Sequence, residues 1–192
     1  EEQGVLTVSC AGGARAEIVL PLAYTPAIET AYRVVVEGLQ GGHSGVEIDK
    51  GRLNANVVMG TFLNTLDCRI SHIAGGLKDN AIPVRCEAII TCAADPTEAA
   101  AAFAAAHRVA GDPDLTISVE TAVADEVMDA DSTARVIDFL TTVPNGIQAM
   151  SADIEGLVQT SLNLGILTTE ADALHASFAV RSSKNEEKTA LL

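Results

Sequence analysis

At 192 residues, 48% apolar but only 3% aromatic and without Trp, the chain can hold one large domain or one domain and part of another, with a core of Ala, Val, Ile and Leu. Its 12 Lys and Arg against 26 Asp and Glu leave a net charge of −14, which excludes the basic stripe that nucleic-acid binding needs. No run reaches the ~18 uninterrupted apolar residues that span a bilayer, and nothing in the first residues reads as a signal peptide, so neither nucleic acid nor membrane is an expected partner.

The cysteines, Cys10, Cys68, Cys86 and Cys92, show no C-x-x-C spacing. Cys86 and Cys92 fall in phase with strand apolar positions, so buried free thiols are expected, which suits a reducing cytoplasm.

In chain order, residues 5–10 and 16–22 read as two short strands turned by Ala11-Gly12-Gly13, with Pro21 and Pro26 marking the exit. Tyr32, Val34 and Val36 alternate with Arg33 and Glu37, which is strand periodicity. Gly41-Gly42-His43-Ser44-Gly45 then forms a turn in which three glycines enclose one imidazole and one hydroxyl. Ala55, Val58, Met59, Phe62 and Leu66 make one apolar face on a helix of about 51–67. A short strand at 69–73 leads to Gly75-Gly76, and Val84, Cys86, Ala88, Ile90 and Cys92 give the clearest strand. Asp95 as N-cap with Pro96 at the first position starts an Ala-rich helix, which Gly111 stops. Leu115, Ile117 and Val119 form the next strand.

The resulting β-α-β-β-α-β order predicts an α+β fold: a split βαβ (ferredoxin-like) sandwich, a four-stranded antiparallel sheet with two helices on one face. Beyond it, a short helix at 132–141 is stopped by Pro144-Asn145-Gly146. Strands at 157–167 and 174–180 follow, and Ser183 with Glu186 makes a capping box for a last helix. This strand-turn-helix pattern echoes 84–110 and predicts an incomplete second copy of the sandwich. Both ends lack terminal signals, so the chain is expected to be a fragment of a longer protein.

No self-sufficient active site is visible. There is no helical histidine pair at zinc spacing, no His-x-Asp, no G-x-S-x-G elbow and no phosphate-binding glycine loop. Asp153 and Glu155 read as a solvated acidic turn. His107 sits at a helix C-terminus, where its partial positive charge is welcome. His72 shares strand phase with Cys68 and Ile70, as a core-edge imidazole would, while His175 faces away from Phe178, toward a sheet surface or interface. Only His43 has a glycine setting that exposes its ring. Asn80, at the mouth of the strongest strand, is either an Asx turn or a ligand contact. Arg181, ending a strand opposite Phe178, is either an exposed charge or a bidentate clamp on a carboxylate. Together these three are the parts needed to grip a peptide-like anion.

Four stretches carry a resemblance. They are 38–48 (Gly-Leu-Gln-Gly-Gly-His-Ser-Gly-Val-Glu-Ile) with Asn54-Ala55-Asn56, and Ile73-Ala74-Gly75-Gly76-Leu77-Lys78-Asp79-Asn80-Ala81-Ile82-Pro83. The others are Gln159-Thr160-Ser161-Leu162-Asn163-Leu164-Gly165 and Phe178-Ala179-Val180-Arg181-Ser182-Ser183. In this order they resemble the bacterial aminoacyl-histidine (Xaa-His) dipeptidases, di-zinc exopeptidases related to carboxypeptidase G.

The resemblance implies a lid or dimerisation domain inserted into a zinc-binding catalytic domain. It divides the chain into 1–30 (edge of the catalytic domain and connecting strands), 31–121 (lid and dimerisation domain) and 122–192 (a second, truncated lid subdomain). It implies two zinc ions in the parent enzyme and none bound by this piece, whose metal ligands would lie elsewhere. By motif match His43 would stabilise the oxyanion, Asn80 would contact substrate and Arg181 would hold the C-terminal carboxylate. Expected partners are a dipeptide substrate, the chain's own catalytic domain and a second copy in a homodimer. A stand-alone small-ligand or dimerisation module, and the lid of a related acylase or carboxypeptidase, remain alternatives.

Overall fold

Alternating burial sets the architecture of the computed structural model, which describes residues 11–192; the strand expected at 5–10 and Cys10 lie outside the described residues. The first strand, β1 (Gly12–Pro21), alternates between exposed and half-buried positions along its whole length. β2 (Tyr24–Pro26) follows, then β3 (Ala31–Glu37), whose Val34, Val35 and Val36 are all buried. β4 (Gly42–His43) and a 3-10 turn (Ile48–Lys50) precede α1 (Ala55–Leu63). β5 (Arg69–Gly75), β6 (Ala81–Ile82) and β7 (Cys86–Thr91) lead to α2 (Thr97–His107). After β8 (Thr116–Ala122) and β9 (Glu126–Met128) comes α3 (Ala130–Thr142). β10 (Gly146–Met150), the long hairpin β11 (Val158–Thr169) and β12 (Ala173–Ser182), and α4 (Asn185–Ala190) complete the chain.

Eight strands form one antiparallel sheet in the order β1-β12-β11-β5-β7-β3-β8, with β10 also paired to β11. The expected four-stranded sheet is therefore only part of a larger one. β3, β5, β7 and β8 keep the β-α-β-β-α-β order, but the edge of β5 is covered by β11, with Leu167 opposite Gly75 and Thr168 opposite Ala74. The later strands thus extend the same sheet instead of starting a second copy. The reason is an edge: a free β5 would leave a row of unpaired N–H and C=O groups. The apolar underside of β11 and β12 (Leu164, Leu167, Leu174, Phe178) joins the core made by Val36, Ile70, Ile73 and Ile90.

The helices supply the rest of that core. Phe62 of α1 meets Phe103 of α2 edge to face at 5.3 Å, and Phe139 of α3 meets Phe178 at 6.3 Å. Gly60 of α1 lies so close to Leu140 of α3 that a methyl group there would sit 2.3 Å from its Cβ.

Several boundaries move for local reasons. Gly12 and Gly13 do not turn; they run straight in β1, opposite Ser182 and Arg181. α1 begins only at Ala55 because Gly51 is left-handed and Asn54 caps the helix, its side chain accepting from the N–H groups of Asn56 and Val57. In α2 the cap shifts by one: Pro96 is the N-cap, and Asp95 accepts from the N–H and hydroxyl of Thr97. The Ser183–Glu186 capping box does not form. Lys184 is the N-cap of α4, its N–H bonded to Ser182 Oγ, while Glu187 accepts from Gln159 and Thr160 on β11. A bulge between Ile70 and His72 breaks the period of two in β5. Ile70 and Ile73 are both fully buried, while the half-buried His72 pairs with Ile89 and so lies on the face opposite Ile70.

Candidate functional site

His43 starts from a two-residue strand. β4 pairs antiparallel with β6, Gly42 opposite Ile82 and His43 opposite Ala81, and the N–H of Ser44 donates to the carbonyl of Asn80 at 2.9 Å. The His43 loop and the Asn80 loop are therefore zipped together by main-chain bonds. His43's own N–H donates to Glu47 Oε2 at 2.9 Å, and Glu47 Oε1 receives Arg52 Nη1 at 2.9 Å. Arg52 also donates to the carbonyl of Gly41. These donors, the His43 N–H first and Arg52 next, hold the Glu47 carboxyl below its ordinary range.

The ring itself is tethered. Nδ1 of His43 accepts from the N–H of Gly45 at 3.1 Å and from that of Val46 at 3.3 Å. An acceptor at Nδ1 puts the proton of the neutral ring on Nε2, so the imidazole is set up to present one N–H donor.

Arg181, near the end of β12, reaches the same place. A methyl placed on Gly45 would lie 3.1 Å from Arg181 Nε and 2.9 Å from His43 Cε1. The missing side chain of Gly45 is what lets imidazole and guanidinium approach one another. Arg181 Nε is buried and has no hydrogen-bond partner among the described residues; the same holds for Ser44 Oγ, in the His43 loop. Buried donors are almost always satisfied, so an orphaned guanidinium N–H next to an imidazole donor marks a place built to receive an acceptor.

Asn80, the third expected residue, is exposed at the end of the segment between β5 and β6. Its backbone is joined to the His43 loop, and it lines a polar cleft of about 600 Å³ with Arg15, Asp79, Glu170, His175 and Ser177. The structure thus brings His43 and Arg181 together directly, and Asn80 to them through the backbone. Of the other histidines, His175 lines the cleft with Asn80, 3.6 Å from Glu170, while His107 stacks on Phe103 at 3.8 Å.

Sequence reasoning missed what holds Asn80. Asn163 of β11, 1% exposed, donates from Nδ2 to the carbonyls of Asp79 and Ala81, both at 2.9 Å, so one amide grips the chain on either side of Asn80. Its Oδ1 accepts from Asn54 Nδ2 at 3.2 Å, which ties the grip to the N-cap of α1. Asn145 accepts from the N–H of Leu164 at 2.9 Å and extends the network. Both Asn54 and Asn163 stand in stretches that carry the resemblance; their polar character at otherwise apolar, buried positions was the available signal. Among the described residues no three His, Cys, Asp or Glu side chains gather as metal ligands. No described helix is long and apolar enough to cross a membrane.

Residues 35–109 match the family described as the peptidase dimerisation domain, M20_dimer. Over 196 aligned residues, 95% of this chain, the sequence is 30% identical to the cytosol non-specific dipeptidase of Escherichia coli (strain K12). The crystal structure of aminoacylhistidine dipeptidase from Vibrio alginolyticus superposes with a TM-score of 0.87 at 28% identity, again over 95% of this chain. The chain spans 40% of the length of each of these proteins. The dipeptidases that the four sequence stretches resemble are thus the proteins that the comparisons return.

Proposed function

We propose that this chain is the lid and dimerisation part of a cytoplasmic, zinc-dependent dipeptidase that acts on Xaa-His and related dipeptides. In this reading residues 31–121 are the ferredoxin-like lid and dimerisation domain and 122–192 a second lid subdomain. Residues 1–30 lead from the catalytic domain, and two copies form a homodimer. The observation that carries the proposal is the meeting of His43 and the unpartnered Arg181 Nε across Gly45.

Each residue has a role suited to its chemistry. A dipeptide ends in a planar carboxylate, which a guanidinium grips with parallel N–H donors. A peptide bond under attack develops negative charge on its carbonyl oxygen, and the Nε2–H of a tethered neutral imidazole is a donor that needs no reorganisation to meet it. Asn80 would contact the remaining amide groups. Zinc would polarise a carbonyl and activate water when bound; in this reading its ligands belong to the catalytic domain, and the described residues offer no group of three donors for it.

The test is hydrolysis of Xaa-His dipeptides by the full-length protein, with and without zinc. His43→Ala is expected to lower kcat about 10²-fold, the size of a lost oxyanion donor. Arg181→Ala is expected to raise KM for dipeptides with a free C-terminal carboxylate and to leave C-terminal amides unaffected. Unchanged turnover in His43→Ala refutes the role of the imidazole. A panel including N-acyl amino acids separates a dipeptidase from a related acylase or carboxypeptidase.

A further inference from the structure

Asp112 lies in the connection between α2 and β8 and is 0% exposed. Its two oxygens point at different parts of the chain. Oδ1 accepts the N–H of Gln40 at 2.7 Å, and Oδ2 accepts the N–H of Leu53 at 2.6 Å. Gln40 and Leu53 are the two ends of the loop that carries His43. No Lys, Arg or His pairs with Asp112 among the described residues, so these main-chain donors are what compensate the buried carboxylate.

The turn around Asp112 is pressed against the same loop. The N–H of Asp112 closes the turn on the carbonyl of Val109 at 3.0 Å. A methyl on the neighbouring Gly111 would lie 2.8 Å from the carbonyl oxygen of Gly51. Within the loop, Glu47 and Arg52 hold the His43 main chain, and two N–H groups hold the His43 ring. Beside the β4–β6 pairing, Asp112 ties both ends of this loop to the connection between α2 and β8. Burying a carboxylate is unfavourable unless its acceptors are used, and here both are used on the ends of one loop.

We propose that Asp112 is a positioning residue for His43: by clamping both ends of the loop it fixes where the Nε2–H donor stands. The proposal rests on the reading of His43 as an oxyanion donor. Displacing a catalytic group by about 1 Å costs on the order of 10²-fold in rate, so the clamp acts on turnover more than on substrate affinity.

The experiment uses Asp112→Asn in the full-length protein. Asparagine is nearly isosteric, but its amide turns one acceptor into a donor that faces a main-chain N–H. With an Xaa-His dipeptide, kcat is expected to fall about 10- to 100-fold with KM little changed. Adding Asp112→Asn to His43→Ala is expected to cost nothing further. An equal loss in both backgrounds would overturn the proposal, because a merely structural defect does not need the imidazole.

A second readout does not depend on dipeptidase activity. Nitrogen-15 shifts of the His43 ring are expected to show one tautomer with unprotonated Nδ1 in the wild type and an averaged ring in Asp112→Asn. Identical ring shifts overturn the clamp. If the unmodified protein hydrolyses no dipeptide, the functional reading fails while these shifts still decide the clamp. If Asp112→Asn does not fold, hydrogen exchange in the wild type decides it: Gln40 and Leu53 amides as slow as those of β3 support the clamp, and rapid exchange of either overturns it.

Discussion

Gly165→Ala isolates the placement of Asn80 from every other feature of the fold. Gly165 sits at the bulge between Leu164 and Ile166 of β11 and its φ is not positive, so the space around it decides whether alanine fits. Its new methyl would sit 2.4 Å from the Asp79 Cα and 2.4 Å from the Asp79 carbonyl oxygen. Gly76, at the start of the same loop, also lies close to the strand: a methyl on it would sit 1.9 Å from the Gly165 carbonyl oxygen. Ordinary carbon contacts begin near 3.4 Å, so Asp79 has to move by roughly 1 Å.

That movement stretches the bonds from Asn163 to Asp79 and Ala81, which now measure 2.9 Å each. At about 3.9 Å they no longer count as hydrogen bonds, and leaving a buried amide donor unsatisfied costs about 1–3 kcal/mol. With one lost the destabilisation is about 1–3 kcal/mol and with both about 2–6 kcal/mol, a fall in Tm of roughly 2–24 °C for a chain of this size. Thermal unfolding followed by circular dichroism measures the first effect. Dipeptide kinetics of the full-length variant measure the second: a displaced Asn80 raises KM. A variant with wild-type Tm and wild-type KM would refute the close approach of the loop to β11 and the role of Asn163 in holding it.

Two further outcomes follow from the ionisable groups. Glu47 has its folded-state pKa below the unfolded value of about 4.5, so its contribution to loop order is complete above that value and disappears as pH falls through the lower, folded value. A shift of the His43 amide resonance at acidic pH is therefore expected, and Glu47→Gln is expected to abolish that acid-range shift; an identical acid titration in the variant would contradict it. Burial raises all three described thiols, pushing Cys68 up to about 12 and Cys86 higher still. Iodoacetamide at neutral pH is expected to leave Cys68, Cys86 and Cys92 unlabelled until denaturant is added, as peptide mass spectrometry would report. Native labelling of Cys68 would show that the core around it is open.

The residue pattern by itself determines most of the local elements and singles out the candidate site residues. Alternation in 31–37 and 86–91 requires strands and the apolar spacing of 55–63 requires a helix, since each depends on neighbours within a few residues. His43, Asn80 and Arg181 stand out in the same way, each as a polar residue at a strand end or glycine turn.

Only the tertiary structure decides how these pieces combine. The four-stranded unit becomes part of an eight-stranded sheet because β5 offers an edge that β11 fills, and no local signal states which edge a distant hairpin will choose. The bulge at Ser71 reverses the phase of His72 for the same reason: the partner strand, not the strand's own composition, sets the register. Asp112 and Asn163 take their meaning from backbone groups 59 to 84 residues away. A side chain's hydrogen-bond partners at such separations are a property of the folded chain, so the parts of the site can be found by reading along the sequence and its supports only by seeing what lies beside them.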